Sequence, residues 1–394
     1  MRRLAVIVSA PGLAGASVPE MDGFVHRWRS LLPEIEVAVD QVEYFSLSWP
    51  RGDLVPRLVD RPVHQIPVAR PRGSRRDRAG RLATRLAPSA FATRSERAIV
   101  AAVRARGCDA AVVMGVHRSP DLARSLSFAV PTVLFAEERT PEGPDDWGLA
   151  PGVVGRVEAI ALRRAMRAVR AVVVIAGHEV AWASAVYGRP VVVVPHSVDV
   201  PSAGPSVPAS HTAAAGLRDV FVVGNFAAAR NAAGLADVLD AMARRPAPPG
   251  FRLAVASGMP LHPQLLERAG SAGMQVLGVV DDPLPHYRSA VATLVPAFDV
   301  RGVKTTILQG WAAGCPVVAA APSAASVGGT HGHDLLAGGT ADELVTALER
   351  VADDAGLRAR LVENGAQSYE ARFGARAIAA SMRLALDHLV LPGP

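Results

Sequence analysis

Short runs of consecutive apolar residues punctuate this chain, and between them lie segments with helical period or clusters of turn residues. LAVIVSA (4–10), AAVVMGV (110–116), PTVLFA (131–136) and AVVVIA (171–176) are all of this kind. A strand without polar alternation is buried on both faces, and a sheet of such strands is parallel with helices covering each side. ERAIVAAVRARG (96–107) and RVEAIALRRAMRAVR (156–170) carry apolar residues at helical spacing and supply such helices. VEYFSLSW (42–49) is expected to be a second strand, and RPVVVVPHSVDV (189–200) closes the series.

The alternation then stops. PSAGPSVPASHTAAAG (201–216) holds neither period and reads as a linker between domains. It restarts with DVFVVGN (219–225), a helix over 232–244, FRLAVAS (251–257), a helix near 263–273 and MQVLGVV (274–280). ATLVPA (292–297), PVVAAA (316–321) and the helix ADELVTALERVADD (341–354) follow, and residues 355–390 are helical throughout. A length of 394 residues suffices for two domains with separate cores. With 50% hydrophobic but only 5% aromatic residues, those cores are layers filled by Ala, Val and Leu. The expected organisation is a doubly wound domain over 1–200, the linker 201–216, a second such domain over 217–370, and a helical segment over 371–394 packing back towards the first domain.

Composition narrows the function classes. No apolar run reaches the length of about eighteen residues that a membrane span needs, and Met1-Arg2-Arg3 leads into only a short strand. A cytoplasmic protein is expected. Cys108 and Cys315 each sit inside an apolar segment and read as buried free thiols, not as a disulfide or metal ligands. The net charge of +6 is mostly surplus arginine, dense in RPRGSRRDRAGR (70–81). That stretch is either a solvated loop or an anion-facing one. Gly, Pro and Asp77 interrupt it and no apolar stripe accompanies it, so at most weak, salt-sensitive membrane-surface association is expected. Aromatic residues are not interleaved with the charge as a stacking platform requires, which argues against nucleic acid.

VRGVKTTILQGWAAGCPVVAAA (300–321) joins a basic turn, a helix and a strand. Ligands of open parallel sheets bind beyond the carboxyl ends of the strands, where helix N-termini present backbone N–H groups. A helix beginning near Val303 would aim the amides of Val303, Lys304 and Thr305 at such a ligand, with Arg301 and Lys304 adding positive charge. That is an anion site suited to a diphosphate. Gly302 permits close backbone approach, while Gly314 and Pro316 stop the helix so that PVVAAA returns as a strand. An ordinary solvated helix start is the other reading of the same spacing.

GVKTTILQGWAAGCPVVA resembles the donor-binding segment of GT-B glycosyltransferases, especially the family 4 type, where G-x-x-x-K-x-L-E-A-x-A-x-G-x-P-V-V recurs. VVVVPHSVDV, FVVGNFAAARNAAGLADVL, VLGVVDDPLPHYRSAVATLVPAFD and HDLLAGGTADELVTALERVADDAGLRARLVENG resemble further blocks of that family in the same order. The resemblance implies an α/β GT-B fold, two Rossmann-like doubly wound parallel-sheet domains facing a central cleft. It implies that the first domain binds the acceptor and the second the nucleotide-sugar donor. Transfer would retain anomeric configuration by same-face attack on a nucleoside-diphosphate sugar, UDP being the expected nucleotide, with an acceptor hydroxyl or amine. No covalent nucleophile, cofactor or metal is demanded.

On the donor side the resemblance points to Gly224, Asn225 and Arg230 at the opening of the second domain, and to backbone near Val279 and Leu284 for the base. Many members carry a pair of glutamates where this chain has Arg301 and Gln309, the second bonding ribose hydroxyls. Gln309 still donates and accepts hydrogen bonds, without charge. The arginine and lysine that usually flank the diphosphate fall on Asn225 and Arg230, so one cation is kept. Arg230, Lys304 and Arg301 are then the charges stabilising the departing diphosphate, with the amides of Val303 to Thr305 beside them.

On the acceptor side, Gly12 and Gly15 form either a close-approach loop or a plain turn. His117 follows AAVVMGV, where family members often place a histidine, and is a catalytic candidate or a structural residue. Glu137 and Glu138 follow PTVLFA and would orient or deprotonate an acceptor hydroxyl, unless simply solvated. His178 and Glu179 are expected to cap the next helix, and His196 replaces the usual hinge asparagine. The Arg301 and Gln309 departures keep a non-catalytic or repurposed GT-B nucleotide-sugar-binding protein in view. An epimerase of the same fold would need acidic groups that the second domain lacks.

Overall fold

The computed structural model describes residues 3–9, 31–48, 62–67, 94–114, 119–136, 167–195, 197–198, 218–246, 250–269, 273–300 and 302–389. The chain divides into two compact units, Met1–His196 with Ile378–Pro394, and Ser197–Ala377.

Among the described residues of the first unit, seven strands form one parallel sheet: β1 (Arg3–Ser9), β2 (Gln41–Ser48), β3 (Val63–Pro67), β4 (Ala110–Met114), β5 (Thr132–Phe135), β6 (Ala171–Val174) and β7 (Val191–Val193). Their order is β3-β2-β1-β4-β5-β6-β7. Helices α1 (Arg94–Ala105), α2 (Ser119–Ser127) and α3 (Val180–Tyr187) belong to the same unit. Leu4, Val6, Val112, Val133 and Val173 enter one core, while Ala5, Ile7, Val113, Leu134 and Val172 enter another. Successive side chains of a strand point to opposite faces, so two buried faces explain the unbroken apolar runs. β3 is not foreseeable from such a run, because it is a sheet-edge strand that mixes Val63 and Ile66 with His64 and Gln65 and ends in Pro67.

In the second unit, β8 (Arg218–Val223), β9 (Phe251–Ala256), β10 (Met274–Gly278), β11 (Ala292–Val295), β12 (Val317–Ala320) and β13 (Leu336–Gly338) form a parallel sheet in the order β10-β9-β8-β11-β12-β13. The helices are α4 (Ala229–Ala243), α5 (Pro263–Ala269), α6 (Leu284–Ser289), α7 (Thr305–Ala313), α8 (Ala321–Ser326), α9 (Ala341–Asp353) and α10 (Ala355–Phe373). At the start of α9 the Thr340 hydroxyl accepts the Glu343 N–H at 3.2 Å and the Glu343 carboxylate accepts the Gly339 N–H at 2.7 Å. The first bond satisfies a donor that the first turn would leave open, and the second ties the residue before the N-cap to the helix.

Val198 already belongs to the second unit, where it joins the core of Trp311, Tyr369 and Phe373 and exchanges hydrogen bonds with the Tyr369 hydroxyl. The last helix, α11 (Ala375–Asp387), sends Ile378, Met382, Ala385 and Leu386 into the first unit's core beside Leu4 and Val6. Their spacing is that of one helix face. The expected linker over 201–216 lies outside the described residues.

Candidate functional site

The second unit's sheet starts at β8, winds outward through β9 and β10, then returns to place β11 on the other side of β8. At such a reversal the loops leaving the two central strands part to opposite faces, and a crevice opens at their carboxyl ends. The loop after β8 runs from Gly224 to α4, and the loop after β11 runs from Pro296 to α7.

Asn225 shapes the first of these loops. Its side-chain oxygen accepts the Ala227 N–H at 3.2 Å, and its carbonyl accepts from the Asn231 amide at 2.8 Å. Arg230 is the second residue of α4, which starts at Ala229, three residues before the helix expected from period alone. The side chain of Arg230 lies outside what is described. Gly234, one turn further on, has no room for a side chain: an added Cβ would overlap the Pro296 carbonyl oxygen and touch the Phe298 ring. Absence of that carbon brings the start of α4 against the loop after β11. Sequence reasoning passed over Gly234, although a lone glycine inside a helical pattern is itself a signal of close approach.

In the second loop Gly302 is buried with φ +66°, a conformation that favours glycine. Lys304 follows as the N-cap of α7 with φ −81° and ψ 93°. The helix therefore begins at Thr305, later than the expected start near Val303, because neither backbone geometry continues a helix. The Lys304 N–H donates to Ser326 Oγ at 3.2 Å, Ser326 Oγ donates to the Ser323 carbonyl at 2.7 Å, and Ser323 Oγ donates to the Ala297 carbonyl at 2.6 Å. Of the three amides expected to face an anion, that of Lys304 is thus committed to α8. Val303 and Thr305 are half-buried at the same turn.

The far end of α7 explains how a helix gives way directly to a strand. Gly314, at φ +74°, donates to the Trp311 carbonyl at 3.2 Å, and the Cys315 N–H reaches back to the Gly310 carbonyl at 2.9 Å. This paired closure satisfies the last carbonyls and reverses the chain, so that Pro316 leads straight into β12. Gly310 lets α7 lie on the sheet, since a Cβ there would stand 2.9 Å from both Thr293 Cγ2 and Val317 Cγ2.

Gln309, in the second turn of α7, is half-buried, and its side-chain oxygen accepts the Tyr287 hydroxyl at 3.0 Å. Val279, after β10, is 64% exposed. The Leu284 N–H donates to Asp282 Oδ1 at 2.9 Å as α6 opens, which commits one of the backbone donors expected to meet a base.

Residues 218–354 match the family model described as "Glycosyl transferases group 1". The chain also superposes on solved structures of low identity. A glycosyltransferase from Rickettsia africae ESF-5 aligns with TM-score 0.69 at 11% identity, covering 99% of each chain. Anabaena Alr3699/HepE, solved in complex with UDP, aligns with TM-score 0.70 at 15% identity over 98% of this chain and 100% of that one. Sucrose-phosphate synthase from Thermosynechococcus elongatus gives 0.67 at 16% identity, covering 98% and 99%. The chain has the GT-B fold. No curated protein sequence matches it.

The GT-B second unit accordingly holds Gly224, Asn225, Val279, Leu284, Gly302, Val303, Lys304, Thr305 and Gln309 on loops and helix starts at the carboxyl ends of its strands or, for Gln309, one turn further along α7. Arg301 lies outside the described residues, as do Gly12, Gly15, His117, Glu137, Glu138 and His196 of the sequence reading. His178 and Glu179 form a short helical turn over Gly177–Glu179 that leads into α3. The expected cap is not made: Glu179 occupies the N-cap position, but at φ −85° and ψ −14° it is already helical and its side chain makes no capping bond. Both cysteines are free and buried. Burial, with Glu43 nearby, pushes the Cys108 thiol up to about 11, and burial raises Cys315 as well. Among the described residues no three His, Cys, Asp or Glu side chains are grouped to hold a metal ion, and no helix is long and apolar enough to cross a membrane.

Proposed function

We propose that this protein is a retaining glycosyltransferase that moves a sugar from a nucleoside-diphosphate sugar to a hydroxyl or amine of an acceptor, without a metal or cofactor. The observation that carries the reading is the close approach of α4, which follows the β8 loop, to the loop after β11 at the strand-order reversal, inside the segment matched as glycosyl transferases group 1. The UDP complex of the Anabaena structure supports UDP as the nucleotide.

In this mechanism negative charge builds on the departing diphosphate, and fixed cations and amides near the first turn of α7 lower the barrier by stabilising it. Lys304, Arg230 and Arg301 supply the charge, and the amides of Val303 and Thr305 add dipoles. Gln309 meets the ribose hydroxyls, the backbone near Val279 and Leu284 meets the base, and Gly224 with Asn225 forms the opposing turn. His117 and Glu138, with Glu137, Gly12 and Gly15, are assigned to the acceptor. Same-face attack needs no covalent nucleophile, and the acceptor proton passes to the departing phosphate oxygen.

The test is a mass-spectrometric screen of donors against acceptors, followed by Lys304→Ala and Arg230→Ala. Each is expected to lower transfer by about 10²-fold or more with folding retained. Full activity in both would overturn the diphosphate assignment. Because glutamates common in such proteins are Arg301 and Gln309 here, a non-catalytic nucleotide-sugar-binding protein is the second reading. Saturable UDP binding without turnover over a broad acceptor panel supports it. We place the enzyme in the cytoplasm with at most weak attraction to anionic lipid. Firm sedimentation with anionic vesicles at physiological salt, abolished by Arg75→Glu with Arg76→Glu, would contradict that.

A further inference from the structure

Tyr287 is 1% exposed on α6, and its ring stands edge-on to Phe221 with centroids 4.9 Å apart, so the phenol is fixed in the core. The Phe221 ring in turn stacks on His286 at 5.2 Å. The Tyr287 hydroxyl reaches out of this cluster to α7, 3.0 Å from Gln309 Oε1 and 3.5 Å from the Thr306 carbonyl oxygen. A phenol has one hydrogen to donate, and the shorter contact takes it. α7 is seated close against the sheet, because Gly310 leaves no side chain between it and Thr293 or Val317.

That bond orients the Gln309 amide. Its oxygen faces Tyr287, and its NH2, which only donates, is left for any other group that meets this side chain. A carboxylate in the same place would accept from Tyr287 with one oxygen and present a second acceptor outward. Glutamine held by Tyr287 converts an accepting position into a donating one.

We propose that Tyr287 is a positioning residue that makes Gln309 a hydrogen-bond donor to the nucleotide, so that a ribose hydroxyl is recognised through its oxygen and not through its hydrogen. The inference rests on the reading of Gln309 as a donor-site residue. It makes the polarity of one contact, and not merely its existence, a property of this chain.

Replacing a hydroxyl by fluorine separates the two polarities, because a C–F bond accepts weakly and cannot donate. Calorimetry with UDP and its 2′- and 3′-deoxy and 2′- and 3′-fluoro analogues measures both. In the wild type, removing the contacted hydroxyl is expected to weaken binding about tenfold, and fluorine at that position only about threefold. In Gln309→Glu the order reverses, since the carboxylate repels fluorine. In Tyr287→Phe the amide is free to present either end, and the gap between fluoro and deoxy analogues closes.

Equal losses for fluoro and deoxy analogues in the wild type, with UDP itself bound, would overturn this inference alone. So would a Tyr287→Phe variant that weakens every analogue by the same factor and keeps the gap, as a purely structural role predicts. If Tyr287→Phe does not fold, the comparison of wild type with Gln309→Glu still decides. A wild type that binds no UDP overturns the donor-site reading and this inference with it.

Discussion

Gly234 of α4 lies directly beneath the carbonyl oxygen of Pro296, and the space a Cβ would need is already occupied by that oxygen. Gly234→Ala must therefore move α4 or the loop after β11. Overpacking against backbone has no flexible side chain to absorb it, and a loss of about 3 kcal/mol is expected. A lowered urea midpoint with unchanged slope checks this. A variant as stable as the wild type would refute the close approach.

Ser326→Ala removes the acceptor of the Lys304 N–H and the donor to the Ser323 carbonyl. The stability cost is expected to be about 1–2 kcal/mol, since the carbonyl that loses its donor belongs to the fully buried Ser323. The functional cost is expected to be larger than this implies, because the turn carrying Gly302 and Lys304 loses its tether. A KM for the donor that rises several-fold, with a melting temperature lowered only slightly, is the expected pattern.

Asp334 is 2% exposed, and its carboxylate accepts from the Thr330 N–H at 2.7 Å, the Ser368 hydroxyl at 2.8 Å and Arg372 at 2.9 Å. Its carbonyl holds the Trp311 indole at 2.8 Å, and Arg372 lies over the Trp311 ring. Arg372→Met leaves a buried carboxylate without its countercharge and is expected to cost about 3 kcal/mol. Asp353→Asn serves as the comparison: its pair with Arg218 is largely exposed on the aspartate side, and no more than about 1 kcal/mol should be lost. Chemical denaturation of both variants measures the contrast.

The Cys108 thiol, raised by burial from 9.0 to about 11, stays protonated in the folded protein at pH values where the unfolded chain ionises. The folded state then binds more protons than the unfolded one, so stability falls as pH rises from about 9 towards 11. Cys108→Ala should make that limb of the stability profile shallower, leaving the part due to the raised Cys315 thiol. At pH 8 a thiol reagent is expected to label Cys108 more slowly in the folded than in the unfolded chain, since the thiolate is the reactive form.

Much of the second unit's architecture is legible in its residues. ATLVPA and PVVAAA announce β11 and β12, because strands buried on both faces leave no polar alternation. Gly302 and Gly314 mark the two ends of the α7 segment, because positive φ is needed at both. β13 escapes such reading: Leu336–Gly338 is short and ends in glycine, and it is a strand only because it pairs with β12. The helix start near Val303 was misplaced because local period does not record that Lys304 is held extended by its setting.

The sequence alone determined the doubly buried strands and the helices between them, though not β3 or β13, and with them that the strands run parallel and that basic residues and glycines cluster ahead of α7, since these follow from side-chain burial and backbone sterics within a few residues. Tertiary structure alone decided that Gly234 meets Pro296, that Ser326 takes the Lys304 amide, and that Tyr287 turns the Gln309 amide. Each of these joins segments separated along the chain. Their meeting depends on the order in which the strands assemble and on how closely the helices settle on the sheet, and no local propensity carries that information.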